Sequence, residues 1–143
     1  MMVCGVSVLI SVLQTTGGMD LFTDILASVA NIGNITALIA LVAGVISVYS
    51  SSSGVVMPAF IAIVPSLIVK LGGGNPVAIV ASINVGSHLV DVSPLSTLGA
   101  LCIANAAPHE DRNQLFRHLL WYGLSMSIVG AVICYIFFGL LMG

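Results

Sequence analysis

Residues 48–60 read VYSSSSGVVMPAF, and the run Ser50-Ser51-Ser52-Ser53-Gly54 inside them divides two apolar arms, residues 34–49 and 55–69. At a rise of 1.5 Å per residue each arm reaches about 23 Å as a helix, short of the roughly 30 Å of hydrocarbon in a bilayer. Bare backbone and hydroxyls at such a tip find no partner in lipid, so the tip must lie within protein or face a water-filled cavity. The pattern predicts a re-entrant helical hairpin over residues 34–70 with its tip at 50–54. The structural alternative is an external loop joining two thin spans.

Composition sets the class. Hydrophobic residues make up 59% and charged residues 6% of the chain, against about 25% charged in a soluble domain. Asp20, Asp24, Glu110, Asp111 and Arg112 sit in two polar connectors, with Arg117 just beyond. A net charge of −2 lacks the basic footprint of a nucleic-acid partner. Cys4, Cys102 and Cys134 lie in or beside apolar stretches without paired spacing, which favours small buried hydrophobes over disulfides or metal ligands. Met1 runs straight into apolar residues with no basic n-region and no cleavage site, unlike a signal peptide. The expectation is an all-α integral membrane protein, multi-pass in the cell inner (plasma) membrane.

Working outward from the hairpin, residues 1–16 read as a truncated transmembrane helix that stops at Gln14-Thr15-Thr16-Gly17-Gly18. Residues 17–33 place Leu21, Phe22, Ile25, Leu26 and Val29 on one helical face and Asp20 and Asp24 on another. That is an amphipathic interfacial helix, read as a connector that packs on the protein rather than a lipid sensor. Residues 71–75 form an external loop, with Pro76 starting the next helix. Pro58 and Pro65 read as kinks in the second arm.

Residues 76–107 are too long for one simple span and short for two. His88, Asp91, Ser93, Pro94 and Ser96 interrupt them. One crossing built from two half-helices fits, with Ser93 as N-cap and Pro94 at the first helical position. Residues 108–114 form a polar loop, and 115–143 the final transmembrane helix, with Phe116, Trp121 and Tyr122 as interfacial anchors. Arg112 and Arg117 place that loop in the cytoplasm and the C-terminus outside. Room for about five segments of about 20 residues suggests one repeat of a two-repeat transporter. The short first segment suggests a C-terminal half whose N-terminal half lies upstream or on a separate chain.

Two polar interruptions of short helices are a sequence pointer to a secondary transporter's site. A helix that ends at the tip offers carbonyl oxygens to a cation, and one that begins there offers N–H groups to an anion. The serine hydroxyls serve either. The break at 91–96 repeats the arrangement. The expected substrate-binding residues are therefore Ser51, Ser52, Ser53, Gly54, Ser93, Pro94, Ser96 and Thr97. Ser50, Asn84, His88 and Asp91 are the cation-coupling candidates, with a possible sodium site at Ser50, Ser51 and Asp91. His88 and Asp91 stand at i, i+3, so they either pair with each other or leave Asp91 as a cation or proton site. Asn84 extends the same face as packing glue or as a ligand. Ser53 and His88 lack a nucleophile-elbow pattern, and no enzyme and no cofactor is expected, only Na+ or H+ as coupling ion.

Residues 48–65 (VYSSSSGVVMPAFIAIVP), 84–106 (NVGSHLVDVSPLSTLGALCIANA) and 111–127 (DRNQLFRHLLWYGLSMS) resemble the C-terminal half of the MatC-type malonate and dicarboxylate carriers. These belong with the divalent-anion:sodium symporters of the ion transporter superfamily. The resemblance implies the C-terminal inverted-repeat half of an elevator-type secondary transporter, homodimeric when complete. It also implies symport of a small dicarboxylate, malonate or a C4-dicarboxylate, with a cation. Family tips carry Ser-Asn-Thr motifs and family breaks a Thr-Pro-rich turn. This tip has no Asn, and this turn has one Pro. The rival expectations are a cation/proton antiporter or oxyanion-efflux relative, and a non-transporting fragment.

Overall fold

The computed structural model describes residues 2–31, 33–107 and 110–140. Pro108 and His109 of the expected cytoplasmic loop, Ile32 of the interfacial segment and 141–143 of the last span lie outside them. Among the described residues every regular element is helical. Helices α1 (Met2–Thr15), α2 (Gly18–Val29) and α3 (Ile35–Tyr49) lead to the serine run, where a π-helical turn (Ser52–Val56) opens α4 (Met57–Leu71). Then come α5 (Pro76–His88), α6 (Thr97–Ala104) and α7 (Arg112–Cys134), which closes in a second π turn, Tyr135–Leu140.

Local chemistry sets these boundaries. Gly17 adopts a left-handed φ of 74° between α1 and α2, a conformation that costs glycine no Cβ clash. Asn75 caps α5 by accepting the Val77 N–H at 3.0 Å, with Pro76 in the first turn where its missing N–H costs nothing. Asp111 caps α7 through the Asn113 N–H at 3.1 Å, so the last helix starts three residues before the expected 115. Between α4 and α5 the chain turns on Gly72, Gly73 and Gly74, with φ of 72°, 156° and 131°.

Two helical stretches are long and apolar enough to cross a membrane, Ser52–Leu71 (20 residues) and Arg112–Leu140 (29 residues), whereas Ile35–Tyr49 is apolar but shorter. The fold is thus compatible with a membrane protein. The two arms are also unequal. The π turn adds the serines to the second arm and brings it to spanning length, where the sequence alone suggested two equally short arms.

Two seams hold the helices together. Along the first, α3 packs on α5 and α7 through Ala40, Ala43, Gly44 and Ser47, all buried and at i, i+3, i+4, i+7. Facing them are Gly86 of α5 and Ser127 of α7, while Gly130 of α7 packs on Gly86 and Leu89, and Gly123 of α7 on Val90 and Ser93. A Cβ on Gly86 would come 2.3 Å from the Ala40 carbonyl oxygen, and one on Gly44 would come 2.5 Å from Ser127 Oγ. Small residues thus bring backbones together as in membrane helix pairs. Along the second seam, α4 packs on α2 and α5 through large side chains, Phe60, Ile63, Val64 and Leu67 against Leu26, Ile79 and Ile83. Phe22 and Phe60 meet edge to face with centroids 5.5 Å apart, the geometry that the ring quadrupoles favour.

The apolar stripe of α2 divides. Leu26 is buried and Phe22 partly so, while Leu21, Ile25 and Val29 are exposed. Asp24 pairs with Lys70 of α4 at 2.6 Å, and Lys70 also donates to the Asp20 carbonyl at 3.3 Å.

Candidate functional site

The two interruptions meet. Ser50 leaves α3 in an extended conformation, and Ser51 restarts the helix by accepting the Gly54 N–H on its hydroxyl at 3.3 Å. The Val55 and Val56 N–H groups both donate to the Ser51 carbonyl, at 3.1 and 3.2 Å. On the other side, α5 stops at His88 and residues 89–96 form a run of turns before α6. The cap of α6 is Ser96, which accepts the Gly99 N–H at 3.3 Å, and not Ser93 with Pro94 as the sequence suggested. The Ser96 hydroxyl also donates to the Ser93 carbonyl at 2.8 Å and reaches the Asp91 carbonyl. Gly99 is required at this turn, because a Cβ there would fall 1.9 Å from the Ser93 carbonyl oxygen.

Ser93 is occupied elsewhere. Its hydroxyl donates to the Val48 carbonyl at the end of α3, at 2.7 Å. Beside this link, Ser52 Oγ is hydrogen-bonded to Asp91 Oδ1. Ser52 Oγ also lies 2.8 Å from Ser47 Oγ, and Ser47 Oγ lies 3.0 Å from the Ser87 carbonyl. Two segments that are distant in sequence, 47–52 and 87–93, are thereby joined through serines 47, 52, 87 and 93, each 0–1% exposed. Buried hydroxyls in an apolar setting require such partners.

Burial sorts the expected substrate residues into two groups. Ser52, Ser93, Pro94 and Ser96 are buried, and the three serine hydroxyls bond to Asp91 or to carbonyls; Ser53, Gly54 and Thr97 are exposed and Ser51 is intermediate. The first group holds the junction and the second presents its polar surface. Among the cation-coupling candidates, Asp91 is half-buried, Ser50 is intermediate, and Asn84 and His88 are exposed on α5. His88 Nδ1 lies 3.0 Å from the Asn84 carbonyl. Among the described residues the ion pair found is Lys70–Asp24, so His88 and Asp91 do not form the pair that their spacing allowed. Of the serine run, the residue hydrogen-bonded to the Asp91 carboxyl group is Ser52, which lay outside the expected Ser50, Ser51 and Asp91 set. Among the described residues no cluster of three or more His, Cys, Asp or Glu side chains forms a metal site. A shallow groove of about 330 Å³ runs beside the junction, lined by Asn84, Val85, His88 and Leu89.

No family model, curated protein or solved structure matches the chain.

Sequence reasoning missed Ser47 and Ser87. Both sit inside helices whose neighbours read simply as apolar. The available signal was spacing, since Ser47 continues the small-residue stripe of Ala40, Ala43 and Gly44. Chemically, the junction combines one carboxyl group, a chain of hydroxyls and the start of a helix within an otherwise apolar bundle.

Proposed function

We propose that this chain forms part of a membrane-embedded secondary active transporter for a small dicarboxylate, malonate or a C4-dicarboxylate, coupled to sodium or protons. The observation that carries the reading is the Ser52–Asp91 link between tip and break. Ionisable groups inside apolar segments are expensive to maintain and mark ion or substrate pathways. The dicarboxylate itself comes from the resemblance of residues 48–65 and 84–106 to the malonate and dicarboxylate carriers. In this reading the hairpin is re-entrant, and tip and break move together as an elevator.

Substrate carboxylates bind at the exposed Ser53, Gly54 and Thr97 and at N–H groups of the helix that starts at the tip. No lysine or arginine lies in the tip or the break, so hydroxyls, N–H dipoles and the coupled cation offset the anionic charge. Once the tip is disengaged, Asp91 opposes an approaching dianion unless a cation neutralises it, which ties substrate loading to the cation. A complementary half, in the same polypeptide or a partner, supplies the rest of the substrate cage.

The test is uptake of radiolabelled malonate and succinate by membrane vesicles from cells that express the protein, under an imposed sodium or proton gradient. Gradient-driven accumulation is expected, reduced at least tenfold by Ser53→Leu at the exposed tip. Uptake equal to that of control vesicles under both gradients, for every dicarboxylate tried, overturns the proposal. Sodium- or proton-driven exchange without dicarboxylate points to the antiporter alternative.

A further inference from the structure

Counting hydrogens at the junction leads to an inference about the coupling ion, which rests on the transporter reading. Three oxygen–oxygen contacts run in series, from Asp91 Oδ1 to Ser52 Oγ, from Ser52 Oγ to Ser47 Oγ at 2.8 Å, and from Ser47 Oγ to the Ser87 carbonyl at 3.0 Å. Each needs one hydrogen. A hydroxyl brings one hydrogen and a carbonyl none, so the two serines supply two hydrogens for three contacts.

With Asp91 ionised, one contact is left as two oxygens facing each other with no hydrogen between them. With Asp91 protonated the series closes in one direction: the carboxyl O–H donates to Ser52 Oγ, the Ser52 O–H to Ser47 Oγ, and the Ser47 O–H to the Ser87 carbonyl. We propose that the closed tip is a proton-binding site, in which Asp91 holds a proton that completes the Ser52–Ser47–Ser87 chain, and that loss of this proton releases the tip.

The proton comes from solvent at the half-exposed carboxyl and returns there on opening, and only O–H bonds form and break. The elements around Asp91 carry other titratable groups: His88 on α5, Tyr49 on α3, Cys102 on α6, and Arg117, His118 and Tyr122 on α7 near its contact at Gly123. Among the described residues none forms an ion pair with Asp91. The hydrogen deficit therefore belongs to the serine chain itself. No metal ion fits in line between oxygens this close, and a cation bound beside them brings no hydrogen to the open contact. The sign follows from linkage: closure that takes up a proton strengthens as pH falls and weakens as pH rises, by at most about tenfold per pH unit.

Hydrogen exchange of the tip amides at residues 54–57, followed across pH in the reconstituted protein without substrate, tests the proposal. After correction for intrinsic exchange, wild-type tip opening is expected to increase with pH, and sodium at fixed pH to leave it unchanged. Asp91→Asn, whose amide supplies hydrogen at every pH, keeps the tip protected and removes the pH dependence. Ser47→Ala removes it for a different reason: the one remaining contact, Ser52 to ionised Asp91, already has its hydrogen.

Wild-type protection that does not vary with pH overturns the proposal, as does a Ser47→Ala protein that titrates like wild type, or sodium-driven closure. Because no substrate is used, failed uptake beside a titrating tip refutes the dicarboxylate reading alone. Uptake beside a pH-insensitive tip refutes the proton alone.

Discussion

The two seams of this bundle solve the same packing problem with opposite materials. Between α3, α5 and α7, backbones approach so closely that glycine at 86 faces the Ala40 carbonyl, with no room for a methyl group. Between α2 and α4, the space is filled by Phe22, Phe60, Ile63 and Leu67. The small-residue seam carries the candidate site, since Ser47 and Ser87 belong to it. The large-residue seam attaches the second arm. Close approach is what lets short serine hydroxyls bridge from helix to helix, whereas bulky side chains would hold them out of reach.

Three substitutions probe that contrast, each read as thermal or denaturant stability in detergent micelles. Gly86→Ala should cause the largest loss, at or above the upper end of the about 1–3 kcal/mol typical of overpacking, because the obstructing atoms are backbone. Displacement of the Ser47–Ser87 link should accompany it, read as a weaker pH dependence of exchange at the tip. Gly44→Ala should cost less, about 1–2 kcal/mol, because the closest obstacle is the Ser127 hydroxyl. Adding Ser127→Ala should restore part of that loss; no recovery in the double variant would show that the backbone, and not the hydroxyl, sets the spacing. Phe60→Leu should cost the least, about 1 kcal/mol from the lost edge-to-face contact with Phe22 and a partly refilled gap. A Phe60→Leu penalty above that of Gly86→Ala would reverse the ranking of the seams.

Much of this arrangement was legible in the sequence, and the illegible part has a common cause. Polar residues in apolar stretches stand out, so the serine run and the break around Asp91 could be located and read as parts of one site. Partner identity could not be located in this way. Ser52 rather than Ser50 or Ser51 reaches Asp91 because Ser51 is used to cap the restarted helix. Ser96 displaces Ser93 as the cap of α6 because Ser93 is drawn across to the Val48 carbonyl. One hydroxyl cannot serve both purposes, and choosing between them requires knowing which helix lies opposite. The apolar stripe of α2 shows the same limit: periodicity finds the face, but only packing divides it into Leu26 inward and Leu21, Ile25 and Val29 outward.

Distance along the chain also has a meaning in time. Ser47 is bonded to a carbonyl 40 residues later, and Leu41 accepts from a hydroxyl 86 residues later. At about 5–20 residues per second, a growing chain exposes Ser47 for roughly 2–8 s before Ser87 exists. Leu41 waits roughly 4–17 s for Ser127. For a chain that threads into a bilayer as it is made, α3 must therefore linger beside an empty seam, with Ser52 as the nearest partner for its Ser47 hydroxyl. An assisting surface, such as an insertion machinery that shelters half-finished helices, would have its strongest client in that interval.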